Sequence, residues 1–207
     1  MDEQKRQWLK SPLPILTLSI VIGTIITYLS PALTSILVYD RTAISNREFW
    51  RLLSGHMVHF NANHLVYNLT AFVLTGWIIE NKIGHKYFSL LCTFIMLVIS
   101  GSLVNCEPQM IQYGGLSGLV CGLVVYLALI EFTNRGPRRM LCLAVLLIIV
   151  LKIGLESHTG KSMLPYPQPL SFVPVWESHA IGSLSALSAF LVQKWFENPG
   201  SKLAAPT

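Results

Sequence analysis

The sequence predicts an all-α membrane protein with six spanning helices, and three observations carry the prediction. Of 207 residues, 52% are hydrophobic and only 12% charged, with a mean hydropathy of +0.54. That balance excludes an ordinary soluble domain. A bilayer core of about 30 Å needs roughly 20 apolar residues per helix. Six segments meet or approach that length: about 13–37, 63–80, 87–104, 115–131, 140–155 and 176–195. The basic residues fall between these segments, so the net charge of +5 reflects membrane topology, and no nucleic-acid partner is expected.

Segment 13–37 follows Lys5, Arg6 and Lys10, as the core of a signal peptide would. Its apolar run is too long for one, and Tyr28, Pro31 and Leu33 offer no small-residue cleavage site, so it reads as a retained first span. The loop 38–62 carries Phe49-Trp50-Arg51, with Trp50 suited to the lipid interface. Segment 63–80 opens on His64 and Asn68 and ends on Glu80, read as a structural residue at the interface. Segment 87–104 is apolar, and 105–113 forms a short link to the glycine-rich start of segment 115–131. After segment 140–155, the stretch 156–175 carries Pro165, Pro167, Pro169 and Pro174 and cannot be helical throughout. It is either a plain irregular loop or a lid over the last span, which carries Ser178-His179.

With a cytoplasmic amino terminus, Lys5, Arg6, Lys10, Lys82, Lys86, Arg135, Arg138, Arg139, Lys194 and Lys202 lie inside. Arg41, Arg47, Arg51, Lys152 and Lys161 then lie outside, so both termini are expected in the cytoplasm. Residues 1–207 read as a single membrane domain. Three of the four cysteines, Cys92, Cys121 and Cys142, fall in apolar runs and Cys106 in a link, so no structural disulfide is expected.

Spans two, four and six share a direction in this topology, which brings His64, Ser117 and His179 to a similar depth at the outer face. Ser117 lies in Gly114-Gly115-Leu116-Ser117-Gly118 at a helix start, where free N–H groups favour a developing oxyanion. It reads either as a nucleophile or as part of a packing motif, since Gly118 and Gly122 form a GxxxG pair. A serine nucleophile needs a base, and His179 suits that task near neutral pH. Gly182 and Ala186 continue a small-residue stripe that would bring the last span against the fourth. His64 and Asn68, four apart on one face, offer oxyanion donors or an interhelical hydrogen bond. His56, His59 and His64 lack the HExxH pattern and its glutamate, so neither a metal nor another cofactor is expected. His85 and His158 read as solvated loop residues.

These residues resemble the rhomboid family of intramembrane serine proteases. The resemblance runs from Trp50-Arg51 through His59, His64, Asn68 and Glu80 to Gly115-Leu116-Ser117-Gly118, His179 and Gly182. It implies a six-helix rhomboid-like bundle in which Ser117 is the nucleophile and His179 the base of a dyad without a carboxylate. His64, Asn68 and the Ser117 backbone N–H would form the oxyanion hole, with Gly115, Gly118 and Gly182 supporting it. Trp50-Arg51-Leu52-Leu53-Ser54-Gly55-His56 and Pro174-Val175-Trp176-Glu177-Ser178-His179 resemble the rhombosortase subgroup. That likeness implies a bacterial inner-membrane enzyme with its active site facing the periplasm. Its partners would be the lipid bilayer and single-span membrane-anchored substrates cut at glycine-containing C-terminal sorting tails. An inactive rhomboid-like protein binding membrane clients is the alternative, and Ser117 and His179 both being present argues against it. A small transporter would need inverted repeats or charges at mid-membrane, and the sequence offers neither sign.

Overall fold

Helix α1 (Ile15–Leu29) and helix α2 (Pro31–Leu37) come from the segment predicted as the first span, and the chain bends by 113° between them. Pro31 explains the break. A residue before proline is driven out of the helical region, and Ser30 is extended at φ −118°, ψ 103°. Pro31 then opens α2, where its missing N–H leaves no helix bond unmade. The structure, a computed structural model, describes residues 13–132, 136–163 and 175–197.

Short elements follow: β1 (Tyr39–Asp40), α3 (Arg41–Ser45), α4 (Arg51–Ser54) and a 3-10 turn at Gly55–Met57. Strand β2 (Gln112–Tyr113) pairs antiparallel with β1, Tyr39 opposite Tyr113, a small departure from the all-α expectation. The Arg41 guanidinium holds this corner. It donates to the carbonyls of Leu103, Val104, Glu107 and Met110 at 2.6–3.0 Å, and so ties the last turn of a helix to the loop that follows it. Arg51 donates to the carbonyls of Ser35 and Val38 and pairs with Glu48 at 2.7 Å. Trp50 lies half-exposed and donates to the Ile36 carbonyl.

Helix α5 (Ala62–Cys106) consists of two helical arms meeting at a break at Gly84, whose φ of 81° and ψ of 160° are not helical. Phe72 and Phe88 have ring centroids 6.5 Å apart, whereas sixteen residues of straight helix would separate them by about 24 Å. The two arms therefore fold back on each other, one holding the predicted segment 63–80 and the other 87–104. Helices α6 (Ser117–Glu131), α7 (Pro137–Thr159) and α8 (Trp176–Glu197) complete the bundle.

The core runs through both arms of α5 into α6, with Phe72, Ile79, Phe88, Ile95, Ile99, Leu103, Leu119 and Leu123 all closed to solvent. Outward faces are just as apolar: Leu74, Leu90, Leu147, Ile148, Val150 and Leu184 are exposed. In α7 only Cys142 and Glu156 are buried. A helix apolar all round yet this exposed is at home in lipid. By length and composition α5 and α7 can cross a bilayer, or three spans can form if the bent pair α1–α2 counts as one.

Candidate active site

The site is assembled where the amino-terminal ends of α5, α6 and α8 meet. Asn61 starts α5 by accepting from the Asn63 N–H at 2.8 Å. One helical turn places His64 and Asn68 on a common face, each 5% exposed. Gly115 precedes α6 with φ 129°, in a region that favours glycine, and a Cβ there would stand 2.6 Å from His64 Cε1. The backbone can thus pass close against the imidazole. The first bond of the α6 ladder runs from the Val120 N–H to the Leu116 carbonyl at 2.8 Å. Amides of Ser117, Gly118 and Leu119 precede that ladder and point toward the helix start.

Glycines bring α8 in. A Cβ on Gly118 would lie 2.8 Å from the Ser178 carbonyl oxygen, and one on Gly122 would lie 2.6 Å from that of Gly182. The backbones of α6 and α8 are therefore in direct contact, as small-residue stripes permit. His179, one turn before Gly182, is carried to the start of α6. A cavity of about 220 Å³ results, lined by His64, Asn68, Ser117 and His179 together with Tyr67, Tyr113, Lys152 and Glu156. Among the hydrogen bonds of the described residues none joins Ser117 to His179, although both line the one cavity.

The Rhomboid domain family matches residues 46–194. The chain belongs to the rhomboid family. Rhomboid protease GlpG of Yersinia pestis (strain Pestoides F) is 29% identical over 157 residues, covering 69% of this chain and 55% of that protein. Rhomboid protease GluP of Bacillus subtilis (strain 168) is 26% identical over 116 residues, covering 56% of this chain and 22% of that protein. The chain thus spans about half the length of the first relative and about a fifth of the second.

In this rhomboid chain two charged residues, Lys152 and Glu156, join the site although the sequence pattern does not place them there. The apolar pattern ends the fifth segment at 155, which puts Lys152 among the outer charges and makes 156–175 a loop. Instead α7 continues to Thr159 and stops where Gly160 takes a left-handed conformation at φ 64°. The extra turn carries Glu156 to His179: Glu156 Oε2 lies 2.7 Å from His179 Nδ1 and 2.7 Å from Lys152 Nζ. A carboxylate therefore contacts the histidine that the resemblance placed in a carboxylate-free pair. Lys152 and Glu156, four apart at a span's end, were the available signal, because an intramembrane charge is a functional candidate by default.

His59, which the rhomboid resemblance includes without a role of its own, is a connector. Its Nδ1 reaches the Met57 carbonyl at 3.3 Å, while its Nε2 receives Asn68 Nδ2 at 3.0 Å and the Leu116 N–H at 3.4 Å. One ring thereby ties the oxyanion candidate Asn68 to the loop before Ser117. Burial holds the His59 pKa down at about 4, so the ring is neutral and free to accept. His56, fully buried, reaches Ser100 Oγ at 3.0 Å and the Met96 carbonyl at 3.1 Å, and burial lowers its pKa to about 4 as well. His158 is exposed in the last turn of α7, not in a loop. The four prolines of the suspected lid lie at 165–174, outside the described residues.

Proposed function

We propose that the chain is an intramembrane serine endopeptidase. The observation that carries this reading is the single cavity shared by His64, Asn68, Ser117 and His179, residues drawn from three helices. In the proposed reaction Ser117 Oγ attacks a substrate carbonyl while His179 Nε2 takes its proton. The negative oxygen accepts from the Ser117 N–H and from the His64 and Asn68 side chains, aided by the amino-terminal end of α6. Collapse of the intermediate passes the proton to the leaving amine, and water then hydrolyses the acyl-enzyme by the reverse sequence of proton transfers.

The same reading takes residues 1–207 as one domain of six spans: α1, the two arms of α5, α6, α7 and α8. It sits in a bacterial inner membrane with both termini cytoplasmic and the cavity open toward the periplasm. Its substrates are single-span proteins with a glycine-containing segment at the outer end of the span and a basic tail inside, as in rhombosortase-type sorting tails. Helical carbonyls are shielded, and glycine is about 1 kcal/mol less favourable in a helix than alanine, so such a segment opens to Ser117 most easily.

Reconstituted protein and a single-span substrate of this design provide the test. We expect cleavage at the glycine segment, loss of about 10³-fold or more in Ser117→Ala and in His179→Ala with thermal stability retained, and a double variant no worse than either. A fluorophosphonate should label Ser117 in the unmodified protein alone. Near-normal turnover by Ser117→Ala would refute the mechanism. Equal cleavage when the glycine segment is moved to the inner end would refute the depth argument.

A further inference from the structure

The dyad leaves unused the most enclosed charge in the cavity wall. Glu156 is 2% exposed, and its Oε2 accepts from both His179 Nδ1 and Lys152 Nζ at 2.7 Å, while Oε1 faces the Met163 N–H at 3.5 Å. Lys152 Nζ is itself 2.8 Å from His179 Nδ1. Two tautomers compete at that ring. With the proton on Nδ1, the ring donates to Glu156 and Nε2 keeps the lone pair a base needs. With the proton on Nε2, Nδ1 accepts from Lys152 and the base is lost.

We infer that Glu156 is a positioning residue that holds His179 in the Nδ1–H tautomer and stabilises the imidazolium formed during attack. Lys152, one helical turn before it on α7, keeps this interior carboxylate ionised by balancing its charge. The inference rests on the Ser117–His179 reading. As Ser117 Oγ bonds to the carbonyl carbon, its proton moves to His179 Nε2 and the carbonyl electron pair moves to oxygen. The Nδ1 proton stays on the ring, hydrogen-bonded to Glu156, and no proton is transferred to the carboxylate. A purely structural ion pair between Lys152 and Glu156 would need neither the cavity nor the imidazole. Here one carboxylate oxygen serves both the lysine and the histidine.

The test measures kcat, KM and thermal stability for Glu156→Gln, Glu156→Asp and the double variant Glu156→Ala with Lys152→Met, which leaves no unpaired lysine. Ser117→Ala runs beside them on the glycine-bearing substrate. We expect Glu156→Gln and the double variant to lose about 10²-fold in kcat with KM changed less than about twofold, and Glu156→Asp to recover most of the loss. A folded double variant with kcat within about threefold of the unmodified protein overturns the inference. So does a set of variants that lose stability while the folded fraction turns over normally. Either result beside an inactive Ser117→Ala leaves the protease reading standing, whereas an active Ser117→Ala removes both.

Discussion

Glu80 and Glu156 are buried to nearly the same degree, 1% and 2% exposed, yet they sit in opposite chemical company. Glu80 lies sixteen residues along the α5 arm from His64, about 24 Å of helix away, and is not among the residues lining the cavity. It accepts from the Leu16 N–H at 2.9 Å, the Thr17 N–H at 2.8 Å and the Thr17 hydroxyl at 2.6 Å, and faces His85 Nδ1 at 2.5 Å. Helix α1 has no side-chain cap of its own, since Pro14 precedes it. Glu80 supplies that cap from a distant part of the sequence. Glu156 instead accepts chiefly from two side chains that line a cavity. Backbone amides are fixed donors and make a carboxylate structural; a histidine and a lysine can change partner or protonation, and make one part of a site.

The sharpest way to break this comparison is to truncate both acids. Glu80→Ala leaves the part-buried Leu16 amide and the buried Thr17 amide and hydroxyl without their acceptor, at about 1–3 kcal/mol each. We expect thermal unfolding to show a loss of about 3–5 kcal/mol, while the folded fraction cleaves at the normal rate. The Glu156 double variant should behave conversely, retaining stability and losing kcat. If Glu80→Ala instead lost turnover at full stability, the division between a capping acid and a site acid would fail.

The comparison also marks what a sequence can carry. Apolar run length located both arms of α5 together with α6, α7 and α8, because hydropathy is a local property. The approach of α6 and α8 was readable too, from Gly118, Gly122 and Gly182 at helical spacing. The bend at Ser30 had a local cause in Pro31, but the run of apolar residues on both sides concealed it. Partners far apart in sequence were another matter. Glu80 with Thr17, Arg41 with Leu103 and Glu156 with His179 are 23 to 63 positions apart, and nothing in their own neighbourhoods names the partner. Hydropathy even worked against Glu156. The polar residues after position 155 resemble a loop, although the helix persists for another turn.

Acidification tests the loop that precedes α5 through His56 and His59, both neutral when folded. Their folded pKa values of about 4 lie below the usual 6.5 because burial disfavours the charged ring. The unfolded chain therefore binds these protons first as pH falls. Stability is fully present above pH 6.5 and is lost as pH falls from 6.5 toward 4, by up to about 3 kcal/mol for each ring. We expect the melting temperature to fall across that window and the fall to shrink in His59→Ala. A profile unchanged by that substitution would show that protonation of His59 is not what loosens Asn68 and the Leu116 loop.

The smallest effect should come from His85, which among the described residues is the one partner of Glu80 outside α1. Its side chain is 45% exposed, so water competes for the contact, and partly exposed ion pairs contribute about 0–1 kcal/mol. Glu80 also keeps its three donors from Leu16 and Thr17 when His85 is removed. His85→Ala should therefore shift the melting temperature by no more than about 2–4 °C, with turnover unchanged. A loss as large as that of Glu80→Ala would mean that the amides of α1 do not hold Glu80 by themselves. The carboxylate at the far end would then depend on a histidine, as Glu156 does, and the contrast between the two acids would be one of position only.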